Sequence, residues 1–561
     1  MAHGSRRQNG VHVGNGGWDA MMSSTVAMKT KKKEEDVKGG ELLFCGTTRS
    51  EADIRRKKVL PGDIFVSPTR LRSLVGVDIR YVASGCASCH CVALSVDGRC
   101  FTWGKNEKGQ LGHGDKTSRN SPTVVSGLSK YKVVKAGSGG GHTVVQTEDG
   151  TSFSFGWNKH GQLGTGSTKK EFELSPVQCL ITDVRDVACG TDFTVWLTSI
   201  KGASIQTAGH PQYGQLGHGT DNEYNTKESS VRLAYEAQPR PKAIASLSDE
   251  TILKVACGSN HTVALDSKGY IYTWGFGGYG RLGHREQKDE WSPRRVDVFT
   301  KHNLVPLDAI LSAGSVSSAC TAGVGKIYIW GKIKITGDNY MYPQPLMDLS
   351  GWKIRCMDSG SLHNFVGAES SCISWGIAQS GQLGYGPNQQ KSSANPKKVD
   401  ILEGMNVISV ACGFAHSLVV VDRSNVGDQL DKLDVYDDKD TDEGIKEPAT
   451  SKKTTRNSTA KTSDNANKGK KRIKEPATSK KTTRNSAAKI SDNANKRKKK
   501  TEESHESEVI EESHESEDDS VEKTSGQNKQ RRGKTSSRGR SSAATKAATP
   551  ARRGRSRTKT S

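Results

Sequence analysis

The sequence is poor in hydrophobic residues and contains no long apolar run. Only 33% of its 561 residues are hydrophobic and 6% are aromatic, against roughly 45–50% apolar residues in ordinary globular domains. A packed core therefore cannot extend along the whole chain. No run of about eighteen apolar residues occurs, which excludes a membrane-spanning helix. The first residues include no apolar segment of the secretory type, so the 12 cysteines are expected to be reduced thiols in the cytosol or nucleus.

Glycine is abundant where proline is scarce, and charge is arranged in blocks. The 60 glycines against 16 prolines favour a turn-rich β protein over collagen or a proline-rich linker. The net charge is +22. Residues 424–561 contain a single aromatic residue, Tyr436, and cannot offset the entropy of ordering. We therefore predict a disordered tail over 424–561, and a disordered N-terminal arm over 1–40.

The tail contains a tandem repeat, since residues 445–472 recur as 473–500, and the two copies together hold 19 basic and 4 acidic residues. Residues 501–522 hold 11 acidic and no basic residues, and 523–561 hold 13 basic and no acidic ones. Such basic blocks predict nuclear import and salt-dependent binding of DNA phosphates. The residues predicted to carry this are Lys468, Lys470, Lys471, Arg472, Lys496, Arg497, Lys498, Lys499 and Lys500.

A repeat with strand-like halves runs through residues 41–423. One half is an apolar run that ends in Trp-Gly or a weaker equivalent; the seven copies end at Gly46, Gly104, Gly156, Gly209, Gly275, Gly331 and Gly376. The other half reads roughly V-A-C-G-x-x-H-T-V-A-L, and its seven glycines are Gly85, Gly137, Gly190, Gly258, Gly314, Gly360 and Gly413. Successive copies lie 45 to 68 residues apart, which is typical of a four-stranded propeller blade.

The repeat region has one unpaired strand at each of its two ends. The first Trp-Gly type strand, at 42–46, has no partner before it, and the last His-containing strand, at 416–420, has none after it. Pairing them completes a seventh blade and removes the exposed sheet edges. Five units add a Gly-Gln/Arg-Leu-Gly turn, whose glycines permit positive φ and whose leucine is expected in the core. We predict a seven-bladed all-β propeller over 41–423 that is monomeric.

This pattern resembles the regulator of chromosome condensation repeat family. Longer runs, among them 104–115 and 274–284, are more similar to the branch of the second vertebrate member than to the founding member. The resemblance implies a nuclear protein of chromatin or spindle, with chromosomes or nucleolus as further locations. It also implies guanine-nucleotide exchange on a small Ras-superfamily GTPase, Rac- or Ral-like. The alternative is a non-catalytic scaffold that binds histones, microtubules or regulatory proteins.

Several motifs match the patterns of cofactor sites, but the repeat accounts for them better. Cys86 to His90 spell C-x-x-C-H, and Gly275 to Gly280 spell G-x-G-x-x-G, but a dinucleotide site needs a helix opening at the third glycine. The recurring histidines are interpreted as core residues that bond between blades. Phe193 and Ser317 occupy that position in two units. We expect no catalytic acid–base group, no metal and no cofactor, and at most exchange activity.

One charged loop stands out as a candidate partner site. It follows the Gly280–Gly283 turn and resembles the second branch closely, and loops on a rigid scaffold often carry function. A solvated surface loop without a partner is the alternative. The residues predicted to contact a GTPase are Arg281, His284, Arg285, Glu286, Gln287, Lys288, Asp289 and Glu290.

Overall fold

The structure is a computed structural model that describes residues 39–50, 64–227, 230–334, 337–424 and 426–437. Residues 1–38 of the predicted N-terminal arm and most of the predicted tail, including every basic residue proposed for import, lie outside the described residues. Within the described part, strands recur in groups of four along the chain, as the repeat predicts.

The chain begins with two strands that belong to the last blade, β1 (Glu41–Gly46) and β2 (Phe65–Leu71). Blades 1 to 3 follow in order. Their strands are β3 (Ile79–Ala83), β4 (His90–Ser95), β5 (Cys100–Gly104) and β6 (Arg119–Val124); β7 (Val133–Ser138), β8 (His142–Thr147), β9 (Ser152–Trp157) and β10 (Phe172–Gln178); and β11 (Val184–Cys189), β12 (Phe193–Thr198), β13 (Ile205–Gly209) and β16 (Gln238–Ala243). A separate hairpin, β14 (Glu223–Asn225) with β15 (Leu233–Tyr235), interrupts blade 3.

Blades 4 to 7 complete the ring. Their strands are β17 (Ile252–Cys257), β18 (His261–Asp266), β19 (Ile271–Gly275) and β20 (Glu290–Arg295); β21 (Leu311–Ala313), β22 (Ser317–Ala322), β23 (Lys326–Gly331) and β24 (Tyr340–Pro345); β25 (Ile354–Ser359), β26 (His363–Ala368), β27 (Cys372–Gly376) and β28 (Ser393–Lys398); and β29 (Val407–Cys412), β30 (His416–Val421) and β31 (Val435–Tyr436). One short helix, α1, spans Gly427–Leu430. Single 3-10 turns lie at Arg72–Leu74, Ser126–Leu128, Ala245–Leu247, Gly278–Gly280, Lys301–Asn303, Gly323–Gly325, Met347–Leu349 and Asp400–Leu402.

The first strand of each blade lies innermost. β3, β7, β11, β17, β21, β25 and β29 each contact the next, and β29 contacts β3, so the described residues form a closed ring of seven blades. The core lies between neighbouring blades and includes the tryptophans of the Trp-Gly strands: Trp103, Trp274, Trp330 and Trp375 are at most 2% exposed. The predicted all-β seven-bladed propeller is therefore confirmed.

The predicted closure is also confirmed. β1 pairs antiparallel with β30 over its whole length, from Glu41 opposite Val421 to Gly46 opposite His416. Gly46 has φ +92°, and a Cβ there would overlap the carbonyl oxygen of Ala415. Positive φ together with this close approach requires glycine at the end of the strand. The first strand of the chain thus completes the last blade.

The last blade extends further than the sequence predicts. Residues 426–437, which we name the strap, pack on it instead of belonging to the tail. Val426 and Leu430 are buried, β31 pairs parallel with β2, and Tyr436 meets Phe65 edge to face at 5.0 Å. These contacts make the last sheet five-stranded, β29-β30-β1-β2-β31. The packed part of the last blade therefore extends at least to Asp437, beyond the predicted boundary at 423.

Candidate functional site

The loops that follow the Trp-Gly strands all lie on one face of the propeller. In blade 4 the inner strand β17 ends at the turn 258–260, and the Trp-Gly strand β19 ends at the loop 276–289. Because alternate antiparallel strands end at the same edge, both lie on one face, as do the equivalents in every blade. We name this the loop face. The opposite, connection face carries the links between blades, such as 125–132 and 346–353.

The recurring histidines connect neighbouring blades. Their Nε2 atoms bond a hydroxyl group of the next blade: His90 to Thr143 at 2.7 Å, His142 to Thr194 at 3.0 Å, His261 to Ser318 at 2.8 Å and His363 to Ser417 at 3.0 Å. His416 closes the ring by contacting Ser84 and Cys91 of blade 1. Their interpretation as core residues bonding between blades is confirmed.

Each of these hydroxyl groups donates in turn to a backbone carbonyl group. Thr143 Oγ1 donates to Gln110 O at 2.8 Å, and Thr194 Oγ1 donates to Gln162 O at 2.7 Å. A hydroxyl group has one proton, so it accepts from the histidine, whose Nε2 must carry hydrogen. Burial lowers the pKa of His142 to about 3. These histidines are neutral structural groups rather than proton carriers.

We expect the protein to lose stability as the pH falls below about 6.5. The unfolded chain protonates its histidines near that ordinary pKa, whereas burial lowers the folded pKa of His90, His142 and His416 to about 3 and of His363 to about 4. Below pH 6.5 the unfolded state therefore binds more protons than the folded state. Each additional proton lowers the free energy of unfolding by about 1.4 kcal/mol per pH unit. Two buried carboxyl groups oppose this, because burial raises the pKa of Asp192 and Asp358 to about 7.

The buried histidines outnumber the two carboxyl groups, so acidification lowers the free energy of unfolding overall. Urea midpoints should therefore fall from pH 7.5 through pH 6 to pH 5. The variant His142→Gln should show a shallower dependence, since it removes one proton-binding difference. A midpoint that stays level or rises on acidification would contradict this account.

The turns on the loop face form a ring of hydrogen bonds around its centre. Backbone bonds run from Gly140 N to Thr191 O and from Thr191 N to Ser259 O, both at 2.9 Å, and from Phe414 N to Ser88 O at 2.8 Å. Hydroxyl contacts of 2.9 Å, Ser88 to Ser138 and Ser259 to Ser315, and further backbone bonds complete the circuit. The inner turns are thus held rigidly together.

The C-x-x-C-H segment is a longer turn within this ring. The Cys86 thiol lies 3.4 Å from the Ser259 hydroxyl oxygen of blade 4 and so reaches across the centre. Burial raises its pKa, which disfavours the thiolate that metal ligation needs. In the part of the chain that the structure describes, no group of three or more His, Cys, Asp or Glu side chains is placed to hold a metal ion.

The anchoring glycine of blade 2 is Gly139 rather than Gly137. β7 runs to Ser138, so Gly137 lies inside the strand. A Cβ at Gly139 would overlap the ring of His142, just as one at Gly258 would overlap His261. The sequence assigned the repeat position two residues too early because blade 2 has several glycines in succession.

The predicted partner site divides into buried and exposed residues. Arg281 is 2% and His284 8% exposed. Arg281 Nε donates to Gly278 O at 2.9 Å, and His284 Nε2 lies 2.9 Å from Thr273 Oγ1. Burial lowers the pKa of His284 to about 4. These two side chains shape the loop from beneath, and the surface available to a partner consists of residues 285–290.

Ion pairs and hydrogen bonds hold this surface in one conformation. Arg294 Nη1 lies 2.7 Å from a carboxylate oxygen of Glu286 and 2.6 Å from one of Glu290. Gln287 Oε1 accepts from Tyr279 N at 3.0 Å, and Asp289 Oδ1 accepts from Gly277 N at 2.7 Å. Arg285, Glu286, Gln287 and Lys288 remain exposed. The loop is therefore a preformed charged surface.

Two residues of this region adopt left-handed backbone conformations. Tyr279 has φ +60° and Arg285 has φ +68°, which costs a residue with a side chain roughly 1–2 kcal/mol. The Arg285 guanidinium lies 4.3 Å from the centre of the Tyr342 ring. This contact holds the Arg285 side chain at the edge of the charged surface 285–290. The G-x-G-x-x-G segment begins at the end of β19 and finishes in a 3-10 turn at Gly278–Gly280, and its blade is an antiparallel sheet rather than a βαβ unit.

Sequence reasoning missed a second feature of the loop face, which we name the aromatic band. Trp157 and His160 of blade 2 lie with ring centres 5.4 Å apart, His160 and His210 of blade 3 lie 4.1 Å apart, and His210 meets Tyr235 of the hairpin at 5.8 Å. The four rings are half-buried. The one signal in the sequence is Trp157 itself, which follows a weaker Phe155-Gly156 copy of the Trp-Gly strand.

A buried carboxyl group lies in the turn beneath the band. Asp192 is 7% exposed, and its backbone oxygen accepts from His210 N at 2.9 Å. Its Oδ1 has no hydrogen-bond partner among the described residues. Burial raises its pKa to about 7, opposed by the charges of Lys108 and Lys159.

Comparison with known proteins agrees with the fold and the repeat. The model of the RCC1-like domain matches residues 40–309, and that of the regulator of chromosome condensation repeat matches residues 370–420. The chain belongs to the family of β-propellers built from these repeats. No helix among the described residues is long and apolar enough to cross a membrane.

Within that family the chain is similar to vertebrate RCC2 proteins. It is 36% identical to human Protein RCC2 over 429 residues, which cover 72% of this chain and 81% of that protein. It is 37% identical to the Xenopus laevis homolog over 434 residues, which cover 73% and 83%. The ultraviolet-B receptor UVR8 of Arabidopsis thaliana is 31% identical over 346 residues, or 60% of this chain and 74% of the receptor.

Solved structures share the fold at lower identity. Yeast RCC1 (Prp20), in its complex with Kap60, superimposes with a TM-score of 0.57 and 18% identity, covering 77% of this chain and 98% of that one. Human WBSCR16 superimposes with a TM-score of 0.54 and 20% identity, covering 68% and 99%. A further structure of Prp20p is described together with its binding to Gsp1p and histones.

Proposed function

We propose that this chain is a nuclear regulator, associated with chromatin or the spindle, whose loop face binds a small Ras-superfamily GTPase and promotes nucleotide exchange. The observation that carries the proposal is the preformed charged surface 285–290, exposed on a propeller that is related to RCC2 proteins. A Rac- or Ral-like GTPase is the expected partner. The binding of Gsp1p by Prp20p supports a GTPase as the class of partner.

Exchange of this kind needs no acid, base or cofactor. A propeller face that binds the nucleotide-free GTPase more tightly than the nucleotide-bound form shifts the equilibrium toward release of GDP. The size of the shift is set by that difference in affinity. Arg285, Glu286 and Lys288 offer both charge signs on a rigid loop, which favours orientation and fast association over total affinity.

A non-catalytic scaffold is the second candidate. The same face would then bind a histone, a microtubule or a regulatory protein without releasing nucleotide. The binding of Prp20p to histones and the basic blocks at 445–500 and 523–561 favour it. Basic blocks without aromatic residues are typical of non-specific, salt-dependent contact with DNA phosphates. Both candidates leave the propeller monomeric.

Release of labelled GDP from several purified small GTPases separates the two candidates. The full chain should accelerate release from at least one GTPase at catalytic concentration. Binding without acceleration would favour the scaffold. Absence of both binding and acceleration across Ran-, Rac- and Ral-type GTPases would contradict a GTPase partner altogether.

Substituting the exposed charged surface should weaken partner binding and leave folding unchanged. The variant Arg285→Ala, Glu286→Ala, Lys288→Ala removes side chains that are exposed, so we expect a loss of about 1–3 kcal/mol of binding free energy. Exposed substitutions usually change stability by about 0.5 kcal/mol or less. Pull-down and thermal melting are measured on the same protein.

The matched control lies on the connection face. Lys130→Ala with Lys353→Ala removes two exposed cations there and should leave binding intact. If the loop variant binds as the parent protein does, residues 285–290 are surface without a partner. If the control variant weakens binding equally, the loss comes from the change in the protein's overall charge and not from the loop.

Nuclear localisation is expected to depend on the tail. The runs at 468–474 and 496–500 each hold at least four basic residues, a composition that import receptors recognise. Deleting 445–561 from a fluorescent fusion should move it to the cytoplasm. A deleted protein that stays nuclear would place the signal in the propeller or in the basic run at Lys29–Lys33.

A further inference from the structure

The aromatic band has features that the charged surface 285–290 does not explain. Its four rings come from two neighbouring blades and the hairpin that interrupts blade 3. The hairpin pairs only with itself, and a two-stranded hairpin is marginally stable alone. Tyr235 ties it to the propeller by contacting His210. The band is therefore fixed on the loop face although its rings remain half-exposed.

Lysines of blades 1 and 2 surround the band. Lys108 Nζ lies 4.5 Å from the centre of the Trp157 ring, and Lys116 Nζ lies 3.6 Å from that of Phe172. Lys159 and Lys169 are exposed nearby in the loop of blade 2. Other cations of these loops form ion pairs, such as Lys105 with Glu107. These four lysines form no ion pair with a carboxylate of a described residue, so their charges are available to acidic groups of a partner.

We propose that the aromatic band and its lysines form a docking surface for an acidic protein partner. Half-exposed tryptophan and tyrosine are the residues that most often dominate protein interfaces. The lysines without carboxylate partners complement acidic side chains at the rim, which steers association. This proposal rests on the proposed function, in which the propeller acts by binding a protein. The band would give that partner protein a second contact on the loop face.

A single-stranded nucleic acid fits this surface less well. Base stacking needs free ring faces, but the ammonium groups of Lys108 and Lys116 lie over the rings of Trp157 and Phe172. Carboxylates also border the band: Glu171 accepts from Trp157 Nε1 at 3.2 Å, and Glu223 lies opposite Tyr235 in the hairpin. A continuous phosphate chain along the band cannot avoid these two carboxylates, whereas an acidic protein carries its carboxylates at separate points and can pair them with the lysines alone.

The test uses the full chain and a defined acidic probe. The probe is a short peptide of glutamate and leucine that carries a fluorophore and a benzophenone cross-linker, with oligo(dT) as the second probe. The variants are Lys108→Glu with Lys116→Glu, and Trp157→Ala with Tyr235→Ala. The matched control is Lys130→Glu with Lys353→Glu on the connection face. All proteins keep the basic tail, so its contribution cancels in the comparison.

We expect both band variants to bind the acidic peptide about tenfold more weakly than the control does. The lysine variant should do so with unchanged melting, because it removes no ring of the band. Cross-links should map to the loops 105–118 and 158–171. Equal affinity of the control and both band variants, or cross-links confined to the tail, would overturn the proposal. Loss of oligo(dT) binding instead of peptide binding would overturn it in favour of nucleic acid.

A GTPase panel run on the same variants separates this inference from the proposed function. A GTPase that is lost with the 285–290 variant but kept by both band variants would support the proposed function and contradict the second contact. Weakened peptide binding with no GTPase bound by the parent protein would support the docking surface and contradict the GTPase as partner.

Discussion

A protein that starts at Arg49 should fail to form a soluble propeller. Such a chain lacks β1, which pairs with β30 along its whole length and with β2 on its other side. Its loss exposes the edges of both neighbours and opens the core around Leu42, Leu43 and Phe44, all at most 3% exposed. Unpaired edges of this length promote aggregation. We expect aggregated or protease-sensitive protein in gel filtration and limited proteolysis.

Two truncations at the other end of the chain, one that keeps the strap and one that removes it, serve as controls. A chain that ends at Asp437 keeps α1 and β31 and should melt as the full chain does. A chain that ends at Ser424 loses the buried Leu430 and the contact of Tyr436 with Phe65, and it should melt at lower temperature while remaining monomeric. A soluble, protease-resistant protein starting at Arg49 would contradict closure by β1.

The architecture could be predicted because each blade repeats the same local requirements. Every Trp-Gly type strand has a glycine with positive φ at its end or one residue before it. This holds even where alanine or cysteine replaces the tryptophan, as at Ala208-Gly209 with φ +126° and Cys45-Gly46 with φ +92°. Backbone conformation demands glycine more strictly than packing demands tryptophan. A count of glycines therefore gave the number of blades and the pairing of the chain ends.

The strap and the aromatic band could not be predicted, for different physical reasons. The strap is acidic and polar, and Val426 and Leu430 become buried only by packing against side chains of other segments, such as Leu402 and Val407. The rings of the band come from loops that are distant in sequence and become neighbours only when the ring of blades forms. Periodicity reports on strands and glycines, but contacts between loops of different blades carry no sequence period.

The sequence could predict exposure in the proposed partner site only where a single loop decides it. Residues 285–288 are exposed as a charged loop would be. Arg281 and His284 look equally polar in the sequence, but they lie in the Gly280–Gly283 turn or next to it, and that turn inserts into the core with Leu282 at 0% exposure. Burial of this turn draws both side chains inward. Two of the contacts that hold the loop, those with Glu286 and Glu290, come from Arg294, which belongs to the strand β20.

Replacing Glu41 by glutamine should destabilise the propeller more than any exposed charge does. Glu41 is 1% exposed, and its carboxylate lies 3.1 Å from Arg70 Nε and 2.8 Å from Arg423 Nε. Arg70 also lies 3.1 Å from Asp431 of the strap. The glutamate thus connects β1, β2, the end of β30 and the strap. Glutamine keeps the shape but leaves two guanidinium groups without their shared counter-charge.

Removing one partner of a buried ion pair typically costs about 3–5 kcal/mol. The two arginines are partly exposed, at 12% and 28% of their side chains, and water compensates part of this, so we expect a loss of about 2–3 kcal/mol. Glu369→Gln is the matched control, because its pair with Lys353 is exposed on both sides and such pairs contribute about 1 kcal/mol or less. Urea unfolding at pH 7.5 measures both variants. Equal midpoints would show that pairing of β1 with β30, and not this charge cluster, is what keeps the ring closed.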